Sequence, residues 1–120
     1  MNAPDRIWNQ QAQSRARRLA RAANALGNGL RGKQVAADDT VKLLTAVLEC
    51  GDRVCLEGNN QKQADFLARS LTQLDPAQVH DLHMVQSVLA LPEHLDLFEN
   101  GIASKLDFSF SGPQSARLAK

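Results

Sequence analysis

Apolar residues recur at intervals of three and four along several stretches of the chain, which is the spacing of amphipathic helices. A polar lead-in over residues 1–13 precedes the first of these stretches, and Ser14 suits the N-cap position of the helix that follows. Glycines at 27, 29 and 32 then end this helix. Its predicted buried face consists of Leu19, Ala22, Ala23, Leu26 and Leu30.

A second helix is predicted over residues 41–48, after an Asp-Asp-Thr run that offers caps. From residue 53 onward, short β-prone runs alternate with helical patterns. The β-prone runs cover residues 53–57, 79–85 and 106–110. Helices are predicted between them over residues 61–74, with Ala64, Leu67, Leu71 and Leu74 facing inward, and over residues 91–98, and residues 111–113 look like the start of a further helix.

This alternation of strands and helices predicts an α/β fold. Short linkers between alternating strands and helices are typical of βαβ units, in which parallel strands are joined by right-handed crossovers. We therefore predict a partial parallel sheet with flanking helices, preceded by an N-terminal basic helix. Residues 1–33 would form the lead-in and the basic helix, and residues 34–120 the first part of an α/β domain that is incomplete at its C-terminus.

The charge of the chain is distributed unevenly. Its formal net charge is +1, but residues 1–33 carry seven basic residues and one acidic residue, or +6, which leaves −5 for residues 34–120. Such a basic segment can bind nucleic acid, a membrane surface or an acidic protein. Only Trp8 is available to stack on bases, and the apolar residues of the helix are small, so docking on an acidic protein surface is favoured.

Several classes of protein are excluded by composition. With 120 residues, 43% hydrophobic and 22% charged, the chain has the composition of a single globular domain. It contains no run of about 18 apolar residues and no signal-peptide core, so we expect a cytoplasmic protein without a membrane partner. Cys50 and Cys55 are expected to be reduced thiols, and His80, His83 and His94 are not spaced as a metal site.

A glycine-rich segment near residue 30 matches the G-x-G-x-x-G pattern of dinucleotide-binding loops. The match is Gly27-Asn28-Gly29-Leu30-Arg31-Gly32. Phosphate binding at such a loop requires a strand before the glycines and a helix directly after them. Here a predicted helix precedes the glycines, so we interpret the segment as a helix-terminating loop.

A second polar loop occupies a better position for a ligand site. Gly58, Asn59, Asn60 and Gln61 lie at the carboxyl end of the first clear strand, where open α/β sheets bind ligands. Amide groups donate and accept hydrogen bonds without negative charge, which suits an acyl, carboxylate or pantetheine-type ligand. The alternative is a helix cap with a solvated turn, and the sequence leaves both interpretations open.

Three runs of the sequence resemble the α subunit of malonate decarboxylase. They are GDRVCLEGNNQKQADFL at residues 51–67, VHDLHMVQSV at residues 79–88 and LDFSFSG at residues 106–112. The similarity extends from about residue 6 to residue 120. That family is similar in fold to family I CoA transferases, so the resemblance implies that this chain is the N-terminal part of a longer two-part α/β protein.

The resemblance implies an acyl-carrier-protein transferase. Malonate would replace acetate on a carrier protein that bears a phosphoribosyl-dephospho-CoA prosthetic group, and other subunits of a complex would decarboxylate the malonyl product. No cofactor would bind to this chain directly. The loop Gly58–Gln61 would lie near the thioester, although it departs from the Gly-Gly-Phe-Gly form of CoA transferases.

The glutamate that carries the acyl group in CoA transferases lies in the later half of their fold. No residue of this chain is therefore assigned a catalytic role, and we expect these 120 residues alone to be inactive. The alternative function is a non-catalytic α/β binding module whose basic helix docks on an anionic partner.

Overall fold

The computed structural model describes residues 3–58, 63–109 and 112–118. The chain divides into two compact units, Met1–Leu48 and Glu49–Lys120. The sequence-based division after residue 33 falls inside the first of these units. The reason is that the second helix packs against the first helix, so both belong to one unit.

Unit 1 is a helical hairpin with a small β-hairpin between its helices. Helix α1 (Ala3–Leu26) is followed by a 3-10 turn, Gly27–Gly29, and by the antiparallel strands β1 (Leu30–Arg31) and β2 (Gln34–Val35). A second 3-10 turn, Ala37–Asp39, leads into α2 (Thr40–Val47). The glycine-rich segment therefore ends a helix, as predicted, and no helix N-terminus follows it directly. The hairpin was not predicted, and Leu30 lies in β1 instead of on the face of the helix.

Two arginines of α1 hold the carboxyl end of α2. Arg18 Nη1 donates a hydrogen bond to the carbonyl oxygen of Val47 at 3.2 Å, and Arg21 Nε donates to that of Ala46 at 2.8 Å. The last carbonyl groups of a helix have no partner inside the helix and carry partial negative charge. Part of the positive charge of α1 therefore stabilises unit 1 itself.

The predicted start and buried face of α1 are partly wrong. The helix begins at Ala3, so residues 3–13 of the polar lead-in are helical; Pro4 fits because the first turn of a helix needs no amide donors. Ala22 and Leu26 are buried, but Leu19 is 61% exposed. Helix α2 has eight residues and ends at Val47, one residue before the end predicted from the apolar spacing.

Unit 2 is built on a three-stranded parallel sheet in the order β3-β4-β5. Its strands are β3 (Arg53–Leu56), β4 (Leu82–Gln86) and β5 (Ala103–Asp107), and its helices are α3 (Asp65–Thr72), α4 (Glu93–Glu99) and α5 (Ser115–Leu118). Both crossovers advance in the same direction across the sheet. Right-handed connections therefore place α3 and α4 on one face, and these two helices contact each other. The predicted parallel sheet with flanking helices is confirmed.

The core of unit 2 lies under α3 and α4. Leu82 and Met84 of the central strand are fully buried there, as are Leu97 and Ile102. Alternate residues of the strands point to the other face of the sheet. That face is polar, with Arg53, Cys55, Lys105 and Asp107 exposed, and His83 Nε2 lies 2.8 Å from Asp107 Oδ2.

Several predicted boundaries shift in the structure. The second predicted strand begins three residues late, at Leu82, because the preceding Asp81 has a left-handed backbone with φ 57°. The third strand begins three residues early, at Ala103. Helix α4 ends at Glu99, and after the turn at Gly101 only Ile102 precedes the first residue that pairs with β4. Helix α3 is shorter than predicted, since Asp65 is its first residue.

Burial lowers the pKa of the His94 imidazole below its ordinary value of 6.5. The ring is 3% exposed, and its Nδ1 accepts a hydrogen bond from the Leu91 amide at 3.4 Å. The stabilisation from keeping this ring neutral is complete above about pH 6.5 and is lost as the pH falls towards the lower pKa of the folded state. We therefore expect the free energy of unfolding to decrease between pH 7.5 and pH 5.5.

Urea unfolding at both pH values checks this expectation. His94→Leu and His94→Gln both remove the titrating ring, and Gln also retains a hydrogen-bond acceptor. Each variant is expected to lose less stability than the wild type on acidification. An unchanged pH dependence in both variants would contradict the assignment.

Candidate functional site

The carboxyl ends of the three parallel strands meet at one edge of the sheet. Gly58 follows β3 by two residues, Ser87 follows β4 directly, and Ser109 follows β5 by two residues. Open α/β sheets bind their ligands at this edge, because the loops that leave the strands converge there. The carboxyl edge is therefore the candidate site.

Two serine hydroxyls connect the three strand ends. Ser109 Oγ donates a hydrogen bond to the carbonyl oxygen of Ser87, and Ser87 Oγ donates to the carbonyl oxygen of Gly58. Gly58 also forms an isolated antiparallel bridge with Gln63. Both ends of the polar loop after β3 are thus fixed against each other and against the neighbouring strand.

The predicted ligand loop is only partly placed by the structure. Gly58 lies at the carboxyl edge, as the sequence predicts. Asn59, Asn60 and Gln61 lie outside the described residues, and their contact with a ligand stays a prediction. Glu57, the carboxylate beside Gly58, is exposed.

Gln86 is a residue of this edge that the sequence reasoning missed. It ends the central strand and is only 4% exposed, yet neither Nε2 nor Oε1 has a hydrogen-bond partner in the part of the chain that the structure describes. Burying an amide without a partner costs about 1 to 3 kcal/mol. Alternation along β4 could have revealed it, because Gln86 occupies the buried phase of Leu82 and Met84.

Ser87 and Ser109 were also missed as site residues. The sequence placed the third strand at residues 106–110, which puts Ser109 inside a strand instead of just beyond one. The available signal was their position beyond the ends of two strands, Ser87 directly after β4 and Ser109 two residues after β5. Both serines donate to backbone carbonyls. The geometry supports a scaffold for a loop.

The segment after β5 packs closely on the segment after β4. The Gln114 amide donates to the carbonyl oxygen of Leu89 at 3.0 Å. A Cβ atom added to Gly112 would lie 2.8 Å from the Leu89 nitrogen and 2.7 Å from its carbonyl carbon. Such distances leave no space for a side chain, so glycine is required for this close approach.

Two open depressions are lined by other residues. One, of about 470 Å³, is at the amino-terminal edge of the sheet of unit 2 and is lined by Gly51, Arg53, Asp81, His83, Ser104 and Lys105. The other, of about 380 Å³, lies beside the β-hairpin of unit 1. Neither includes Gly58 or Gln86. The candidate site is therefore defined by the ends of the strands.

Metal and disulfide chemistry find no support in the described ranges. Among residues 3–58, 63–109 and 112–118, no three His, Cys, Asp or Glu side chains are grouped as a metal site. Cys50 and Cys55 are exposed free thiols. None of the helices in the described part of the chain combines the length and apolarity that crossing a membrane requires.

Comparison with known proteins gives consistent matches along almost the whole chain. Residues 7–120 match the family model described as "Malonate decarboxylase, alpha subunit, transporter". Over 116 residues, the chain is 47% identical to the acetyl-S-ACP:malonate ACP transferase of Malonomonas rubra, an alignment that covers 97% of this chain and 20% of that protein.

Solved structures match at similar levels of identity. The malonate decarboxylase alpha subunit from Acinetobacter baumannii has a TM-score of 0.80 at 48% identity and is matched over 91% of this chain and 20% of its own. A Pseudomonas malonate decarboxylase hetero-tetramer in complex with malonate gives 0.78 at 52% identity, with 90% and 20% covered. The chain thus spans about one fifth of the length of these relatives.

Proposed function

The chain belongs to the malonate decarboxylase alpha-subunit family, and on that premise we propose that it is a segment of an acyl-carrier-protein transferase. The reaction converts acetyl carrier protein and malonate into malonyl carrier protein and acetate. The observation that carries the proposal is the 47% identity, over 97% of this chain, to a protein named for that transfer. The alternative of an independent binding module has no comparable support.

The fold supplies a suitable place for one part of this chemistry. A thioester exchange develops negative charge on the acyl oxygen, and amide groups at a fixed position stabilise such charge. The loop Gly58–Gln61 carries three side-chain amides, and the bonds from Ser87 and Gln63 anchor Gly58. We propose that this loop lies beside the thioester.

The partners belong to the same proposal. We propose a carrier protein with a phosphoribosyl-dephospho-CoA arm, the other subunits of a decarboxylating complex, and a cytoplasmic location. The Pseudomonas relative forms a hetero-tetramer and was solved with malonate, which supports a multi-subunit assembly here. We assign the role of the carboxylate that accepts the acyl group to none of the residues that the structure describes.

Exchange of label tests the transferase proposal. The full-length subunit that contains this chain is incubated with acetylated carrier protein and labelled malonate, and label on the carrier is measured. We expect label to enter the carrier as acetate is released in equal amount. Labelled propionate is the matched control, because it lacks the second carboxylate. Absence of malonate-dependent acetate release would overturn the proposal.

The loop assignment is tested in the same assay. Asn60→Ala is expected to lower the exchange rate about tenfold or more, since removal of one oxyanion donor typically costs at least that much. Lys42→Ala in α2 is the control, because its side chain is exposed in unit 1. Equal rates for both variants would remove the loop from the site while leaving the transferase proposal intact.

A further inference from the structure

Gln86 combines burial, position and unmet hydrogen-bonding capacity at the carboxyl edge. It is the last residue of the central strand, and its register partner on β3 is Leu56. The next residue, Ser87, donates its hydroxyl to Gly58. The carboxamide is therefore adjacent in the chain to the bonds that anchor the predicted ligand loop.

The two polar atoms of Gln86 define the chemistry of a matching group. A carboxamide offers hydrogen-bond donors on nitrogen and an acceptor on oxygen, side by side. Since both atoms lack a partner within the described residues, exchanging oxygen and nitrogen by a flip of the amide leaves the same need. A carboxylate would satisfy only the nitrogen, whereas a secondary amide satisfies both atoms at once.

We propose that Gln86 pairs with a secondary amide of the pantetheine-type arm that presents the thioester. This inference rests on the proposed function, because that function brings such an arm to the carboxyl edge. The Nε2 group donates to the carbonyl oxygen of the arm, and Oε1 accepts from its N–H. Gln86 is thus a positioning residue that sets the depth of the arm at the carboxyl edge.

Small thioesters with and without an amide provide the direct test. S-acetyl-N-acetylcysteamine carries one secondary amide, and S-ethyl thioacetate carries the same acetyl thioester with none. Binding of each probe to the full-length subunit is measured by calorimetric titration for the wild type, Gln86→Leu and Gln73→Leu. Gln73 is an exposed glutamine that follows α3, so it provides the same substitution away from the site.

We expect the wild type and Gln73→Leu to bind the amide-bearing probe about tenfold or more tightly than S-ethyl thioacetate. The amide of the first probe pairs with the Gln86 carboxamide, whereas S-ethyl thioacetate leaves that carboxamide without a partner. Gln86→Leu is expected to bring this ratio close to one and to leave S-ethyl thioacetate unaffected. Equal or undetected binding of the two probes by the wild type, or an unchanged ratio in Gln86→Leu, overturns the inference.

Thermal unfolding without ligand separates this role from a structural one. Leucine has nearly the shape of glutamine and no polar atoms, so replacing an unpartnered buried amide is expected to leave Tm unchanged or raise it. A clear decrease in Tm for Gln86→Leu would mean that another part of the protein satisfies the amide, which overturns the inference. If the wild type fails to exchange malonate, the transferase proposal fails, and the probe titration still decides the role of Gln86.

Discussion

Replacing Gly112 with alanine is expected to lower the free energy of unfolding of unit 2 by about 2 to 5 kcal/mol. The backbone of Gly112 has φ 103°, which costs a residue with a side chain about 1 to 2 kcal/mol. The new methyl group would also overlap the backbone of Leu89, which is fully buried, and overpacking of this kind costs about 1 to 3 kcal/mol more.

Gly51→Ala is the matched control for this experiment. Gly51 also has a positive φ, of 83°, but an added Cβ would have no neighbour within 4 Å. It therefore retains the backbone cost and lacks the overlap, so its expected loss is about 1 to 2 kcal/mol. Equal losses for the two variants would contradict the close packing of Gly112 on Leu89.

The probe of unfolding has to report on unit 2. The chain has one tryptophan, Trp8, and it lies in α1 of unit 1, where it is 70% exposed. Intrinsic fluorescence would therefore be insensitive to these substitutions. Urea unfolding followed by hydrogen exchange at the amides of β4 and β5 measures the stability of the sheet directly.

The order of elements in unit 2 could be predicted because it depends on local signals. Asp75-Pro76 ends a helix, and Asn100-Gly101 closes another, in which Gly101 has φ 79°. Each apolar run bounded by such signals is long enough for only one strand or one helix. The alternation of elements then predicts the parallel sheet, since a helix between two strands returns the chain to the edge at which the first strand began.

The ends of the strands could not be predicted from the same signals. Ala103, Ser104 and Lys105 have little intrinsic preference for a strand, and they join the sheet because β4 provides partners for their backbone groups. The sequence instead favoured Phe108 and its neighbours. This shift of three residues concealed Ser109 as a residue that follows a strand.

The candidate site was predictable only in part for a related reason. Gly58 was found because it directly follows the predicted strand at residues 53–57 and precedes two asparagines, which favour turns. Gln86 lacks this signal: its alternation with Leu82 and Met84 along β4 indicates the buried face, but a glutamine in a short strand is usually solvated. Burial of a polar side chain at a strand end depends on what packs against that end, which is a tertiary effect that one sequence does not display.

Two leucines of α3 that have the same predicted role are expected to differ sharply in their effect on stability. The periodicity placed both Leu67 and Leu71 on the inner face, but Leu71 is 2% exposed and Leu67 is 44% exposed. Leu71→Ala is expected to lower the free energy of unfolding by about 2 to 5 kcal/mol, because it removes buried methyl groups and leaves a cavity. Leu67→Ala is expected to cost less than about 1 kcal/mol.

The pair separates packing from helix propensity. Both substitutions replace leucine by alanine within the same eight-residue helix, so any gain in helix propensity is nearly the same for the two variants. The difference between their unfolding free energies in urea then reports burial alone. A loss above about 2 kcal/mol for Leu67→Ala would mean that α3 is rotated relative to the sheet, because only burial of Leu67 produces a loss of that size. Leu71→Ala would then be the milder of the two substitutions.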